Sequence, residues 1–200
     1  FSREKPIETQ SVVINATIEN IGHANASNVS VGFYENGSLI GISIVDFVGV
    51  NESRVSQIQW NASFGLRNIS VVVDYENRIR ELDESNNQIS VEVNVSASPR
   101  RLKEDAIVRL MGINSANKNS QKEIERAINA VNDSLCCWID QLRLDETHGN
   151  KVFDNEKNAI EHLMKINNSQ GVIDILLKAD ELLARVGIED KGGDSTAQEE

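Results

Sequence analysis

The spacing of apolar residues changes once along this chain, from every second residue to every third or fourth, and the change falls at Ser98–Pro99. A period of two alternates side chains between the faces of a strand, whereas a period near 3.6 gathers them on one face of a helix. No single element satisfies both. The chain is therefore expected to fold as a β part followed by an α part.

Before the change the runs are short and alternating. SVVINATIEN sets Val12, Ile14, Ala16 and Ile18 on one side, and SNVSVGFYE does the same with Val29, Val31 and Phe33. Asn36-Gly37 then separates two alternating runs, a strong hairpin signal because both turn positions need positive φ. Ile58 and Trp60 point inward in SQIQWNA, Ile69, Val71 and Val73 in RNISVVVD, and Ile89, Val91, Val93 and Val95 in QISVEVNV. Short strands divided by turns, with no helical stretch between them, predict an antiparallel β-sandwich.

Beyond the change, Ser98 can cap free N–H groups and Pro99 fits a first helical turn. Leu102, Ala106 and Leu110 follow at four-residue spacing. SQKE, residues 120–123, reads as a capping box opening a helix whose stripe is Ile124, Ile128, Val131, Leu135, Trp138, Ile139 and Leu142. A third helix is expected over residues 154–166, with Val152 stapling its start and Ile160, Leu163 and Met164 inward. The fourth spans residues 171–187, with Ile173, Leu176, Leu177, Leu183 and Val186 inward and Gly187 as its stop. Short connections imply an all-α bundle of about four helices. The expected division is a sandwich over 1–97, a bundle over 98–190 and a flexible acidic tail over 191–200.

Composition excludes several functions. A formal net charge of -11 argues against a nucleic-acid partner, which requires a basic footprint. No apolar run approaches a membrane span. The opening FSREKP carries no charged-then-apolar leader and reads as a piece of a longer protein.

The pattern Asn-x-Ser/Thr occurs at Asn15, Asn25, Asn28, Asn36, Asn51, Asn61, Asn68, Asn94, Asn132 and Asn167. Chance at this composition gives roughly two or three. The excess, about fourfold on that expectation, is concentrated in the β half. Asn15, Asn28, Asn61, Asn68 and Asn94 fall out of phase with their strands' apolar faces, and Asn25, Asn36 and Asn51 fall in turns or loops, so each suits a bulky N-glycan. The plainer reading is an Asn- and Ser-rich surface, both residues being common turn formers.

The β half resembles a known family. IENIG (residues 18–22), the Asn36-Gly37 hairpin, Trp60, VVVD (71–74) and ELDESNN (81–87) resemble the CARDB family, the cell-adhesion-related domain of bacterial and archaeal surface proteins, over roughly residues 7–96. The resemblance implies an Ig-like sandwich of about seven antiparallel strands and a spacer or adhesive module. It implies no catalytic residues.

Other chemistry is sparse. Asp74, Glu76, Glu81, Asp83, Glu84, Asn86 and Asn87 offer oxygen ligands for Ca²⁺, but without EF-hand spacing; alternatively Asn86 and Asn87 bond the backbone of a tight corner. Asp83, Glu84, Asn86 and Asn87 are the metal candidates, and no other cofactor is implied. His148, Asp154 and His162 could converge, but no HExxH, phosphate loop or nucleophile elbow occurs. The two cysteines, Cys136 and Cys137, are adjacent in a helical stretch, so an interchain disulfide or a pair of free thiols is expected rather than a bond between them.

Together these readings predict a non-catalytic, N-glycosylated extracellular module of a larger archaeal surface protein. Its expected partners are neighbouring surface proteins or glycans. A carbohydrate-binding sandwich, for which Tyr34 and Tyr75 are the aromatic candidates, or an accessory domain of a larger secreted enzyme, is the alternative. A homo-oligomer locked through Cys137 is a further role for the bundle.

Overall fold

The computed structural model describes residues 1–113, 117–135, 138 and 149–193. The chain divides into two compact units, Phe1–Ser96 and Ala97–Glu200.

The first unit is an antiparallel sandwich. Its strands are β1 (Ser11–Glu19), β2 (Ala26–Glu35), β3 (Ser38–Val48), β4 (Ser53–Asn61), β5 (Gly65–Val73) and β6 (Gln88–Val95). One sheet pairs β1 with β4; the other runs β3-β2-β5-β6. The described residues thus hold six strands, one fewer than the expected seven. Residues 1–10 contribute instead a parallel bridge from Ile7 to Ser96 and a backbone bond from Ser2 to Val13. Pro6 within this segment has no N–H to give to a ladder.

Alternation buries Val12, Ile14 and Ile18 against Val29, Val31, Phe33, Trp60, Ile69, Val71, Val93 and Val95. Asn36 and Gly37 have φ of 48° and 82°, the two positive values that the β2–β3 hairpin requires. Ile89 and Val91 depart from expectation: they lie opposite Val71 and Ile69 in the ladder, on the inner face, yet are 63% and 46% exposed. The facing sheet has only two strands, and the rim strand β6 outruns it.

The second unit comprises α1 (Pro99–Met111), α2 (Lys118–Leu135), α3 (Gly149–Leu163) and α4 (Gln170–Gly193). Ser98 caps α1, its hydroxyl accepting the N–H of Arg101 at 3.2 Å, and Pro99 occupies the first turn. The proposed capping box does not start α2. The helix begins three residues earlier, at Lys118, where Asn117 Oδ1 accepts the N–H of Asn119. Glu123 is thereby released for other contacts.

Val152 lies within α3 and is buried, not stapled ahead of the helix. Met164 and Leu177 are 71% and 52% exposed, because Ala159 and Leu163 on α3, and Ile173, Leu176 and Ala179 on α4, fill the inward stripe. Gly187 does not stop α4, which continues to Gly193; a helical glycine costs only about 1 kcal/mol against alanine. Ile139, Leu142, the side chain of Val186 and most of the 191–200 tail lie outside the described residues.

α1 packs beside α2 and α4, and α3 also packs beside α2 and α4. Helices α1 and α3 therefore face each other across the bundle. Its main core comprises Ala106, Ile107, Leu110, Ile124, Ala127, Val131, Ala159, Leu163, Ile173 and Leu176, while Trp138, Val152 and Leu183 form a smaller second cluster.

Candidate functional site

Every one of the ten sequon asparagines is exposed. On the outer face of the two-stranded sheet, Asn15 lies opposite Gln57 and Asn61 opposite Ser11. Asn68 and Asn94 occupy the outer face of the other sheet. Asn25 Oδ1 accepts the N–H of Val50 at 3.1 Å, and Asn36 Oδ1 accepts that of Asn68 at 2.9 Å. Both bonds use the carboxamide oxygen rather than the nitrogen that would carry a sugar. Asn28, Asn36 and Asn51 have φ of 53°, 48° and 58°, a left-handed backbone that asparagine tolerates better than most residues. Left-handed backbone geometry, inside β2 at Asn28 and in turns at Asn36 and Asn51, accounts for those three asparagines independently of any sugar.

The hydroxyl residue divides the ten sequons further. Ser30, Ser134 and Ser169, which complete those at Asn28, Asn132 and Asn167, are buried. Ser134 Oγ donates to Val131 O, and Ser169 Oγ contacts Leu163 O and Ile166 O at the turn into α4. The remaining seven have exposed or half-exposed Ser or Thr.

The acidic corner is bound to its own backbone. Buried Asp74 accepts the N–H of Arg78 at 3.1 Å through Oδ1 and that of Ile79 at 2.7 Å through Oδ2. Asp83 caps a 3-10 turn (Glu84–Asn86), and the Ser85 hydroxyl and N–H hold its carboxyl below the usual carboxylate range. Glu84 accepts the N–H of Glu81, and Asn87 reaches the same carboxylate. Asn86 is exposed. Among the described residues no three His, Cys, Asp or Glu side chains gather as a metal site.

Tyr34 and Tyr75, distant in sequence, are brought together over Gly32. A β-carbon there would stand 3.0 Å from the Tyr34 ring and 3.1 Å from that of Tyr75. The rings can cross the sheet only because residue 32 has no side chain. Ile42 and Val72 are the ladder partners of Gly32, extending an outer apolar strip.

Of the expected histidine constellation, His162 is engaged with a carboxylate on another helix. His162 Nδ1 lies 2.6 Å from Glu123 Oε2 on α2, and that contact, with Lys165 and Arg126 nearby, holds the Glu123 carboxyl below its ordinary range. Asp154 is exposed on α3, and His148, Cys136 and Cys137 lie outside the described residues.

The most unusual chemistry lies where no motif pointed. Lys103 of α1 and Glu156 of α3 are both fully buried, with Nζ 3.0 Å from Oε1. The ammonium sits 4.9 Å from the centre of the Trp138 ring, whose Nε1 donates to Ser134 O. Asp180 of α4 reaches the Glu156 carboxyl. The three groups touch without well-directed hydrogen bonds: Lys103 Nζ, both Glu156 oxygens and Asp180 Oδ1 have no aligned partner among the described residues.

Burial pushes the lysine below its ordinary 10.5, against the pull of both carboxylates. It pushes Glu156 up from 4.5 to about 9, reinforced by Asp180 and opposed by Lys103. The only sequence signal was position. Lys103 is in step with Ala106, Ile107 and Leu110, Glu156 with Val152, Ala159 and Leu163, and Asp180 with Leu176 and Leu183. Each is a charge standing on an apolar stripe.

The sandwich carries exposed carboxamides on its outer faces, and the bundle holds one buried charged layer. The CARDB family model matches residues 1–91, so this part of the chain is a CARDB domain, of a non-catalytic family associated with the cell surface; the helical half lies outside the match. Among solved structures, the CARDB domain of a Pyrococcus furiosus protein in complex with di-metal ions is similar at 26% identity, with 47% of this chain and 86% of that chain covered and a TM-score of 0.44. A domain from Methanosarcina acetivorans is similar at 25% identity, covering 45% and 82%, with a TM-score of 0.41. One from Geobacter metallireducens is similar at 30% identity, covering 46% and 86%, with a TM-score of 0.39. No curated protein matches the chain. No helix among the described residues is long and apolar enough to cross a membrane.

Proposed function

We propose that this chain is an N-glycosylated, non-catalytic structural or adhesive module of a larger archaeal protein exposed outside the cell. The supporting observation is the set of seven sequons at Asn15, Asn25, Asn36, Asn51, Asn61, Asn68 and Asn94, whose asparagine and hydroxyl residue are both reachable. Sugars there would cover both outer sheet faces and block face-to-face or edge pairing between copies. The intact mass of protein from its native cells is expected to exceed that of the polypeptide, with glycopeptides at these seven positions and none at Asn28, Asn132 or Asn167. A mass no greater than the polypeptide's would end this reading.

A second reading is carbohydrate binding, which the Tyr34–Tyr75 pair over Gly32 favours. Sugar rings stack their C–H faces on aromatic surfaces, and two adjacent rings beside Ile42 offer such a surface. A glycan array is expected to show signal that Tyr75→Ala abolishes; signal at background for the unmodified chain would remove this reading.

A further inference from the structure

The buried charged layer is poorly explained as a structural ion pair. Taking a lysine and a glutamate out of water is costly and is repaid only when hydrogen bonding is complete, and among the described residues it is not. The arrangement is well suited to a different use, because an amine and a carboxyl stand in contact, fixed by three helices and sealed from solvent.

We propose that Lys103 Nζ and Glu156 Cδ condense to an intramolecular amide, with Asp180 as the proton carrier. The ammonium first gives one proton to the Glu156 carboxylate, leaving a neutral amine and a neutral acid. Burial favours this transfer, since it moves the two affinities toward each other. The Nζ lone pair then forms a bond to Cδ, and Asp180 takes a proton from the nitrogen and delivers it to the departing hydroxyl. One C–N bond forms, one C–O bond breaks and one water leaves. Nothing is oxidised or reduced, and no co-reactant is needed.

Three features drive the step forward. Contact at 3.0 Å between groups held by packed helices gives the high effective concentration of an intramolecular reaction. The product replaces buried charges with an uncharged amide, removing their desolvation cost. Apolar layers lie on either side, with Ala106, Ala159 and Leu176 on one and Trp138, Val152 and Leu183 on the other. Water that departs is therefore not replaced, and hydrolysis lacks its reactant.

The test is the intact mass of the full chain made in a host that does not N-glycosylate proteins. Folded protein is expected to be lighter than its sequence by one water molecule. Digestion should yield a branched peptide joining Lys103 to Glu156, and the linked chain should run faster on a denaturing gel. Lys103→Arg should restore the full mass while helical circular dichroism is retained, and Asp180→Asn should accumulate unlinked chain. If a variant fails to fold, the unsubstituted protein still decides the matter: folded chain with the full sequence mass and no branched peptide overturns the proposal.

Discussion

Phe33→Ala is expected to cost the sandwich about 3–5 kcal/mol, the range for deleting a large aromatic from a closed core. Phe33 is fully buried in the second strand of the four-stranded sheet, paired with Val71 on one side and Gly41 on the other. Gly41 has no side chain to swing into the space, and the two-stranded sheet opposite is tied down by Trp60, whose Nε1 donates to Glu35 at 3.3 Å. Little can collapse into the void. Native-state hydrogen exchange on the β2 and β5 amides measures this in the full chain without mixing in the helical unit. Ile89→Ala in the same experiment should cost under about 1 kcal/mol, since its side chain never left water. Equal losses at the two positions would show that the rim of β6 is covered after all.

The second large effect concerns the charged layer of the bundle. In a chain that is not linked, Lys103→Ala should destabilise it by about 2–5 kcal/mol, because it removes a fully buried four-carbon stem and leaves a cavity. The unlinked chain should also respond to pH. Glu156 binds its proton more tightly folded (about 9) than unfolded (4.5), so its contribution is complete below about pH 4.5. Stability then falls as pH rises, and the contribution is gone above about 9. Lys103, lowered in the folded state, opposes this only between its lowered value and 10.5. Urea titrations from pH 5 to 9, followed by helical circular dichroism, should show a declining midpoint that Glu156→Gln flattens. A chain already joined at Glu156 has no such proton to lose, so a flat profile with a native-weight chain and a flat profile with a linked one are told apart by mass.

How far the sequence could be read follows from what each pattern encodes. Alternation reports which side of a sheet a residue takes, and it assigned Val12, Val31, Phe33 and Val71 to the core correctly. It does not report how far the opposite sheet extends, so Ile89 and Val91 read as buried and are not. The Asn36-Gly37 turn was legible because positive φ restricts residue choice so severely. Helix starts were less so: Ser120 and Glu123 match a capping box, but Asn117 offers a cap one turn earlier, and Glu123 instead pairs with His162. The buried layer carries no motif, and Lys103, Glu156 and Asp180 belong to no candidate set that the sequence offers. Their phase with the apolar stripes was available, but phase alone does not reveal that three separate helices bring those charges to one point.

The left-handed backbone at Asn28, Asn36 and Asn51 has a consequence for how such a chain can drift. Replacing any of these asparagines with an ordinary residue strains the backbone, so selection on folding preserves them whether or not a saccharide is attached. Mutational loss of the acceptor there must proceed through the third position, at Ser30, Ser38 or Ser53. At Asn15, Asn61, Asn68 and Asn94, where φ is ordinary, either member can be exchanged, and related chains should differ in both.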